Sequence, residues 1–186
     1  MSNIVTGPAT QPKWSADGKM IAYIEIHSKQ NGNINHDEAY NRSDMRLATL
    51  SGFQSVDDTL LVSGGKEALS DPDFSPDSKN IIFRHAPTGS IRETNAKLFL
   101  YSLDLQTEIE LVNLANNKNQ NDFWPSFSPF PDNDYYWVVF FSRRKYGNKL
   151  EEGQKQLWIA AIDKNISTGK DPSHPAFWLH GQGQQR

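Results

Sequence analysis

Five histidines, His27, His36, His85, His174 and His180, are the side chains best suited to hold a metal or move a proton. His174 and His180 stand six apart, which places both on one face of an extended strand. Two ligands do not make a divalent site, so the pair reads as exposed or hydrogen-bonded histidines. The stretch Asn31-Gly32-Asn33-Ile34-Asn35-His36-Asp37-Glu38 alternates oxygen ligands as a calcium loop does. Its sixth position is His36 instead of Gly and its twelfth is Arg42 instead of Glu, so a polar loop is the better reading. Arg143-Arg144-Lys145-Tyr146 is a cationic cluster after an apolar run, able to pair with carboxylates or to flank a strand as solvated charge. Phosphate-binding glycine loops, a Gly-x-Ser-x-Gly elbow and His-Glu-x-x-His are absent, and Ser, His and Asp show no triad spacing. No catalytic residue, cofactor or metal ligand is assigned.

Composition narrows the classes further. The 186 residues carry 19 basic and 22 acidic side chains, a net charge of −3 that argues against nucleic-acid binding. Zero cysteines excludes disulfides, thiolate metal sites and a cysteine nucleophile. The longest strongly apolar run, Tyr135 to Phe141, is far shorter than the roughly 20 residues of a membrane-spanning helix. The first residues show neither the basic nor the apolar region of a signal peptide.

The elements that position these residues come from a repeat. Pro12-Lys13-Trp14-Ser15, Pro72-Asp73-Phe74-Ser75, Pro125-Ser126-Phe127-Ser128 and Pro175-Ala176-Phe177-Trp178 share Pro-x-aromatic. The first two continue into turns, Ser15-Ala16-Asp17-Gly18-Lys19 and Ser75-Pro76-Asp77-Ser78-Lys79, whose Pro, Asp and Gly suit a tight reversal. Strands follow at Ile21-Ala22-Tyr23, Ile81-Ile82-Phe83 and Val138-Val139-Phe140. A third strand recurs at 45–50, 98–103 and 157–162, and a fourth at 59–62 and 108–112, with only a weak counterpart near Ile166. Units of about 50–60 residues with four short strands predict β-propeller blades; a two-sheet sandwich is the competing all-β reading. Blades are placed at about 11–63, 71–112 and 124–170, within one partial propeller over 1–186. Residues 171–186 read as the start of a degenerate fourth blade or a tail. Trp14, Phe74, Phe127 and Phe177 are expected in the core, one ring wedged per blade.

The Pro-x-aromatic-Ser-x-Asp-Gly-Lys pattern, followed by an Ile-Ala-Tyr strand, resembles the TolB-like (WD-like) β-propeller repeat over roughly residues 11–163. It departs from the pattern at Ser78 and in the stretched turn of unit three. The resemblance implies a non-catalytic protein-interaction scaffold of the bacterial periplasm or cell envelope. Alternatives are the propeller portion of a polysaccharide lyase or of a peptidase, or a glycan-binding module. In a four-stranded blade the long loops between strands two and three share one side with the blade links. That face is expected to bind a protein partner through His36, Tyr40, Arg92, Arg143, Arg144 and Tyr146. Three blades leave an apolar sheet face without a neighbour at each end, so self-association is expected, either as a homodimer that closes a six-bladed ring or because the chain is a piece of a longer propeller.

Overall fold

The computed structural model describes residues 7–29, 40–52, 54–90, 93, 95–115, 121–130, 132, 134–145 and 154–182. They form three four-stranded antiparallel sheets, each a meander in chain order. Blade 1 holds β1 (Ala9–Trp14), β2 (Met20–Lys29), β3 (Tyr40–Ser51) and β4 (Gln54–Ser63). Blade 2 holds β5 (Ala68–Phe74), β6 (Asn80–Ala86), β7 (Lys97–Ser102) and β8 (Thr107–Glu110). A one-turn helix, α1 (Val112–Ala115), leads to blade 3: β9 (Asp122–Phe127), β10 (Tyr135–Ser142), β11 (Gln156–Asp163) and β12 (Phe177–Trp178).

Two expectations are corrected here. Residues 177–178 do not begin a fourth blade: Phe177 pairs with Ile159 and Trp178 with Trp158, so β12 is the outer strand of blade 3. Ile166 belongs to no strand and instead packs against the core beside Trp178. An unpaired edge of β11 needs backbone partners, and the aromatic pair at 177–178 supplies them while adding apolar area.

The repeated turn is built from the repeated residues. The Ser15 hydroxyl donates to Asp17 Oδ1 at 2.7 Å and accepts the Met20 N–H at 2.9 Å, while Asp17 Oδ1 accepts the Lys19 N–H at 3.1 Å. Ser75, Asp77, Lys79 and Asn80 repeat the arrangement at 2.6, 2.9 and 3.2 Å. Gly18 takes φ 70°, and Ser78 takes the same left-handed conformation at φ 63°. That conformation costs a side chain about 1–2 kcal/mol, and here the Ser78 hydroxyl accepts the Asp17 N–H of blade 1 at 3.1 Å. The departure from Gly therefore ties two blades together.

Between blades the same turn carries Asp77, whose carboxylate accepts the Tyr136 hydroxyl of blade 3 at 2.6 Å. Burial pushes Asp77 upward, but bonds from Ser75, Tyr136 and the Lys79 N–H outweigh it and hold the group below the ordinary 3.8. Asp17 is lowered likewise, chiefly by the Ser15 hydroxyl. A carboxyl depressed in the folded chain contributes stability above its unfolded value and loses it as pH falls through the folded value. Stability should therefore fall below about pH 4, and Asp77→Asn should flatten that fall. Urea midpoints between about pH 3 and 6 test this; parallel profiles for the two proteins would exclude Asp77.

Two apolar clusters seal the blades. Ala22, Ile24, Met45 and Leu47 of blade 1 meet Phe74, Ile81 and Phe83 of blade 2. Ile82, Leu98 and Leu100 on the other face of blade 2 meet Phe127, Val138, Phe140 and Trp158 of blade 3. Phe74 and Phe127 thus face the preceding blade. Phe74 and Phe127 are buried, but Trp14 is 59% exposed and Phe177 is 50% exposed, contrary to the expectation of four core rings. No described blade precedes blade 1 to cover Trp14, and Phe177 occupies an outer strand instead of an inner one.

The outer face of blade 1 mixes apolar and charged side chains, with Trp14 59% and Leu60 50% exposed. Opposite its buried face, blade 1 presents Arg46, whose guanidinium pairs with Glu25 at 3.3 Å and Asp58 at 3.2 Å. The Tyr23 hydroxyl donates to Asp58 at 2.8 Å, and burial followed by Asp58 pushes that phenol up to about 12. The charged groups on this face of blade 1 are therefore mutually satisfied.

Candidate functional site at the inner strands

The first strand of every blade carries one recurrent irregularity. Gln11, Asp71 and Trp124, each just before the repeated Pro, take φ 53°, 56° and 47°. Left-handed backbone is uncommon for such residues, and a following Pro makes an irregular strand the natural place for it. The strand pairings shift register at all three places. The bulges re-aim these side chains into a cleft of about 280 Å³ lined by Gln11, Lys13, Asp71, Pro72, Trp124 and Ser126.

Asp71 is the hub of this wall. Its carboxylate accepts from the Gln11 amide at 3.1 Å and from the Trp124 backbone N–H, while its own N–H donates to Gln11 Oε1 at 2.7 Å. Behind it, fully buried Arg84 pairs with Asp71 at 3.2 Å and donates to the Ser70 hydroxyl at 2.6 Å. The same guanidinium reaches the Gly89 carbonyl at 2.8 Å and the Ser90 carbonyl at 3.2 Å. Burial pushes the Asp71 carboxyl upward against the pull of Arg84. These bonds use the fork geometry of arginine to fasten the loop after β6 to the inner strand.

Beside Trp124, three cations converge on one ring. Arg84, Arg143 and Lys155 lie 5.6, 5.5 and 5.4 Å from the centroid of buried Phe123, and Lys155 is also 5.2 Å from the Trp124 ring. Arg84 is neutralised by Asp71. Arg143 keeps a buried Nε that has no hydrogen-bond partner. Trp124, 43% exposed, stands at the edge of the cluster and of the cleft, edge-on to Phe141 at 5.7 Å.

The structure separates the residues expected to bind a partner. Arg144 is corrected from a partner-gripping cation to a structural one. Its Nη2 donates to both Asp122 carboxylate oxygens at 2.8 Å, its Nη1 to the Leu114 carbonyl at 2.9 Å, and its Nε to Ser142 at 2.9 Å. Asp122 is buried, which raises its carboxyl despite Arg144, so this pair sits out of reach of a partner. Tyr40 is corrected likewise: it is a core residue whose hydroxyl donates to the Leu69 carbonyl at 3.0 Å. Arg143 is half-buried at the cation cluster. His36, Arg92 and Tyr146, with the loop 31–38, lie outside the described residues.

The remaining histidines are paired or stacked. His27 meets Asp44 at 2.7 Å, His85 meets Glu67 at 3.2 Å and Glu108 at 3.4 Å, and His174 meets Asp163 at 2.8 Å. His180 packs edge-on against Trp178. Among the described residues no His, Asp and Glu cluster has the geometry to hold a metal ion. Sequence reasoning missed Phe123, Trp124 and Lys155, although the residue before each repeated Pro was open to inspection as a series.

No protein-family model matches the chain, nor does any curated protein. Among solved structures, TolB from Acinetobacter baumannii is similar over 91% of this chain and 32% of its own, at 21% identity and TM-score 0.50. A puromycin-hydrolyzing peptidase from Mycobacterium tuberculosis is similar over 85% of this chain and 22% of its own, at 12% identity and TM-score 0.48. This chain thus spans about a third of the TolB chain. With three four-stranded antiparallel blades in register, the likeness establishes a TolB-like β-propeller fold. Fold alone does not carry function. Among the described residues no helix is long and apolar enough to cross a membrane.

Proposed function

We propose that this chain is a non-catalytic interaction scaffold, the propeller portion of a bacterial cell-envelope or periplasmic protein. Its inner-strand cleft takes an extended, acidic segment of a partner protein. The observation that carries this reading is the convergence of Arg84, Arg143 and Lys155 on Phe123, with a buried, unpartnered Nε on Arg143 beside exposed Trp124. A carboxylate entering there would pair with Arg143 and Lys155 in a partly desolvated setting, where charge-assisted bonds are stronger than in water. Trp124 supplies flat apolar area, the usual anchor of an interface centre. Interaction in place of catalysis is favoured because the polar groups of the wall are spent on one another: Asp71 on Arg84 and Asp122 on Arg144.

An immobilised peptide library scored for acidic content tests the reading. The wild-type chain should enrich Asp- and Glu-rich peptides over neutral ones, with affinity falling as salt rises. Arg143→Ala with Lys155→Ala should weaken that capture at least tenfold, and Trp124→Ala similarly, with melting unchanged for the exposed Trp124 variant. Equal capture of acidic and neutral peptides, or capture indifferent to all three substitutions, would overturn the proposal.

A further inference from the structure

The stretched turn of unit three, between β9 and β10, takes no part in the inner-strand cleft. It carries Phe130, at 77% exposure the most exposed large apolar side chain among the described residues. Phe130 and Asp132, with Tyr135, Tyr136 and Lys164 of blade 3 and Asp77 of blade 2, line a pocket of about 100 Å³. Its walls belong to two adjacent described blades. The pocket already handles one cation: the Lys164 ammonium lies 5.4 Å from the centroid of the Tyr136 ring and donates to the Asp132 carbonyl. Its two carboxylates still have room. A carboxylate offers about four acceptor positions. Among the described residues, Asp77 Oδ1 accepts from the Ser75 hydroxyl and the Lys79 N–H, and its Oδ2 from the Tyr136 hydroxyl alone. Asp132 Oδ1 accepts from the Asp134 and Tyr135 N–H groups, and its Oδ2 from the Trp137 indole alone. Each carboxylate therefore keeps an open position on Oδ2. Bonds to Ser75, Tyr136 and the Lys79 N–H keep Asp77 ionised against burial, and chiefly the Asp134 N–H keeps Asp132 so.

We infer that this pocket is a second docking site, which takes an arginine side chain from a basic segment of a partner protein. Charge complementarity selects that occupant. Asp77, Asp132 and the adjacent exposed Asp134 stand against Lys164, while Lys79 is paired with Asp104 at 3.7 Å. A guanidinium is planar, so it stacks on the exposed Phe130 ring and offers its fork of N–H groups to the open Oδ2 positions. A lysine ammonium would gain the charge but not the stacking. An acidic segment would meet three carboxylates, and a purely apolar one would cover their charges without pairing them. The site stands apart from the inner-strand cleft and prefers the opposite charge.

Fluorescence anisotropy with labelled Arg-Gly, Lys-Gly and Gln-Gly repeat peptides, at about 0.15 M salt to suppress diffuse attraction, reads the outcome. The wild type should bind the Arg-Gly repeat about tenfold tighter than the Gln-Gly repeat and about threefold tighter than the Lys-Gly repeat. Phe130→Ala, which changes no charge and sits at an exposed position, should weaken Arg-Gly binding about fivefold with melting unchanged. Asp132→Asn should weaken it too, whereas Asp57→Asn, the same loss of charge at an exposed position on blade 1, should leave it unchanged. Trp124→Ala should also leave it unchanged, which separates this site from the cleft. Equal binding of Arg-Gly and Lys-Gly repeats, or Arg-Gly binding indifferent to Phe130→Ala, overturns the inference. So does an equal loss with Asp57→Asn and Asp132→Asn, which would mark attraction to net charge alone.

Discussion

Asp71→Ala is expected to destabilise the protein by about 3–5 kcal/mol, because it strands a guanidinium that has no access to water. Arg84 is fully buried, and Asp71 is the carboxylate that balances it at 3.2 Å. The substitution also removes the acceptor shared by the Gln11 amide and the Trp124 N–H, so the inner strands of three blades lose their common tie. Neutral bonds to Ser70, Gly89 and Ser90 remain, but they do not offset a buried charge. Arg84→Met alone should cost less than Asp71→Ala, since the carboxylate left behind can take up a proton at a raised value. The double replacement Asp71→Leu with Arg84→Met should recover much of the loss, as apolar replacements of buried ion pairs commonly do. Urea unfolding of Asp71→Leu, Arg84→Met and their double variant closes the cycle. An Asp71→Ala protein within about 1 kcal/mol of wild type would refute Asp71 as the hub.

Gly89→Ala is expected to cost about 2–3 kcal/mol through a steric conflict and not through backbone conformation. A Cβ at position 89 would lie 2.4 Å from Tyr40 Cζ and 2.6 Å from Cε1. The ring has nowhere to go: its hydroxyl is tied to the Leu69 carbonyl, and its face packs in the seam between blades 1 and 2. The Gly89 N–H also donates to the Tyr40 carbonyl at 2.7 Å, which holds the two backbones together. Arg84 grips the Gly89 carbonyl from the other side. Tyr40→Leu should be destabilising alone yet partly rescue Gly89→Ala, with a coupling of about 1 kcal/mol or more. Additive losses in the double variant would show that the loop simply shifts.

The legible part of the fold was the part that neighbours along the chain dictate. Ser15 and Asp17 close their turn through atoms two to five residues away, and Ser75 and Asp77 do the same. Strand alternation likewise needs only adjacent residues, which is why the strands around Ile21, Ile81 and Val138 could be placed from the repeat. The site was less legible because Arg143 and Arg144 are adjacent and chemically identical. Only the turn of the chain after β10 aims one at Asp122 and the other at Phe123. Tyr40 misled for a related reason: it opens a strand after a polar stretch of sequence, yet blade 2 closes over it.

Taken alone, the chain of residues determined an all-β repeat of four-stranded units, the inner position of each Pro-x-aromatic strand and the chemistry of its turns. Those features rest on torsional preference and on contacts within a few residues. The burial of Phe74 against the exposure of Trp14, the β12 edge completed by Phe177 and the ion pairs of Arg46 on blade 1 were decided by packing in three dimensions. The first depends on a neighbouring blade some 50–60 residues away in sequence, and the others on strands brought side by side within one blade. Equivalent residues in a repeat share a local conformation, but their solvent exposure, and with it their energetic role, is set by what packs against them.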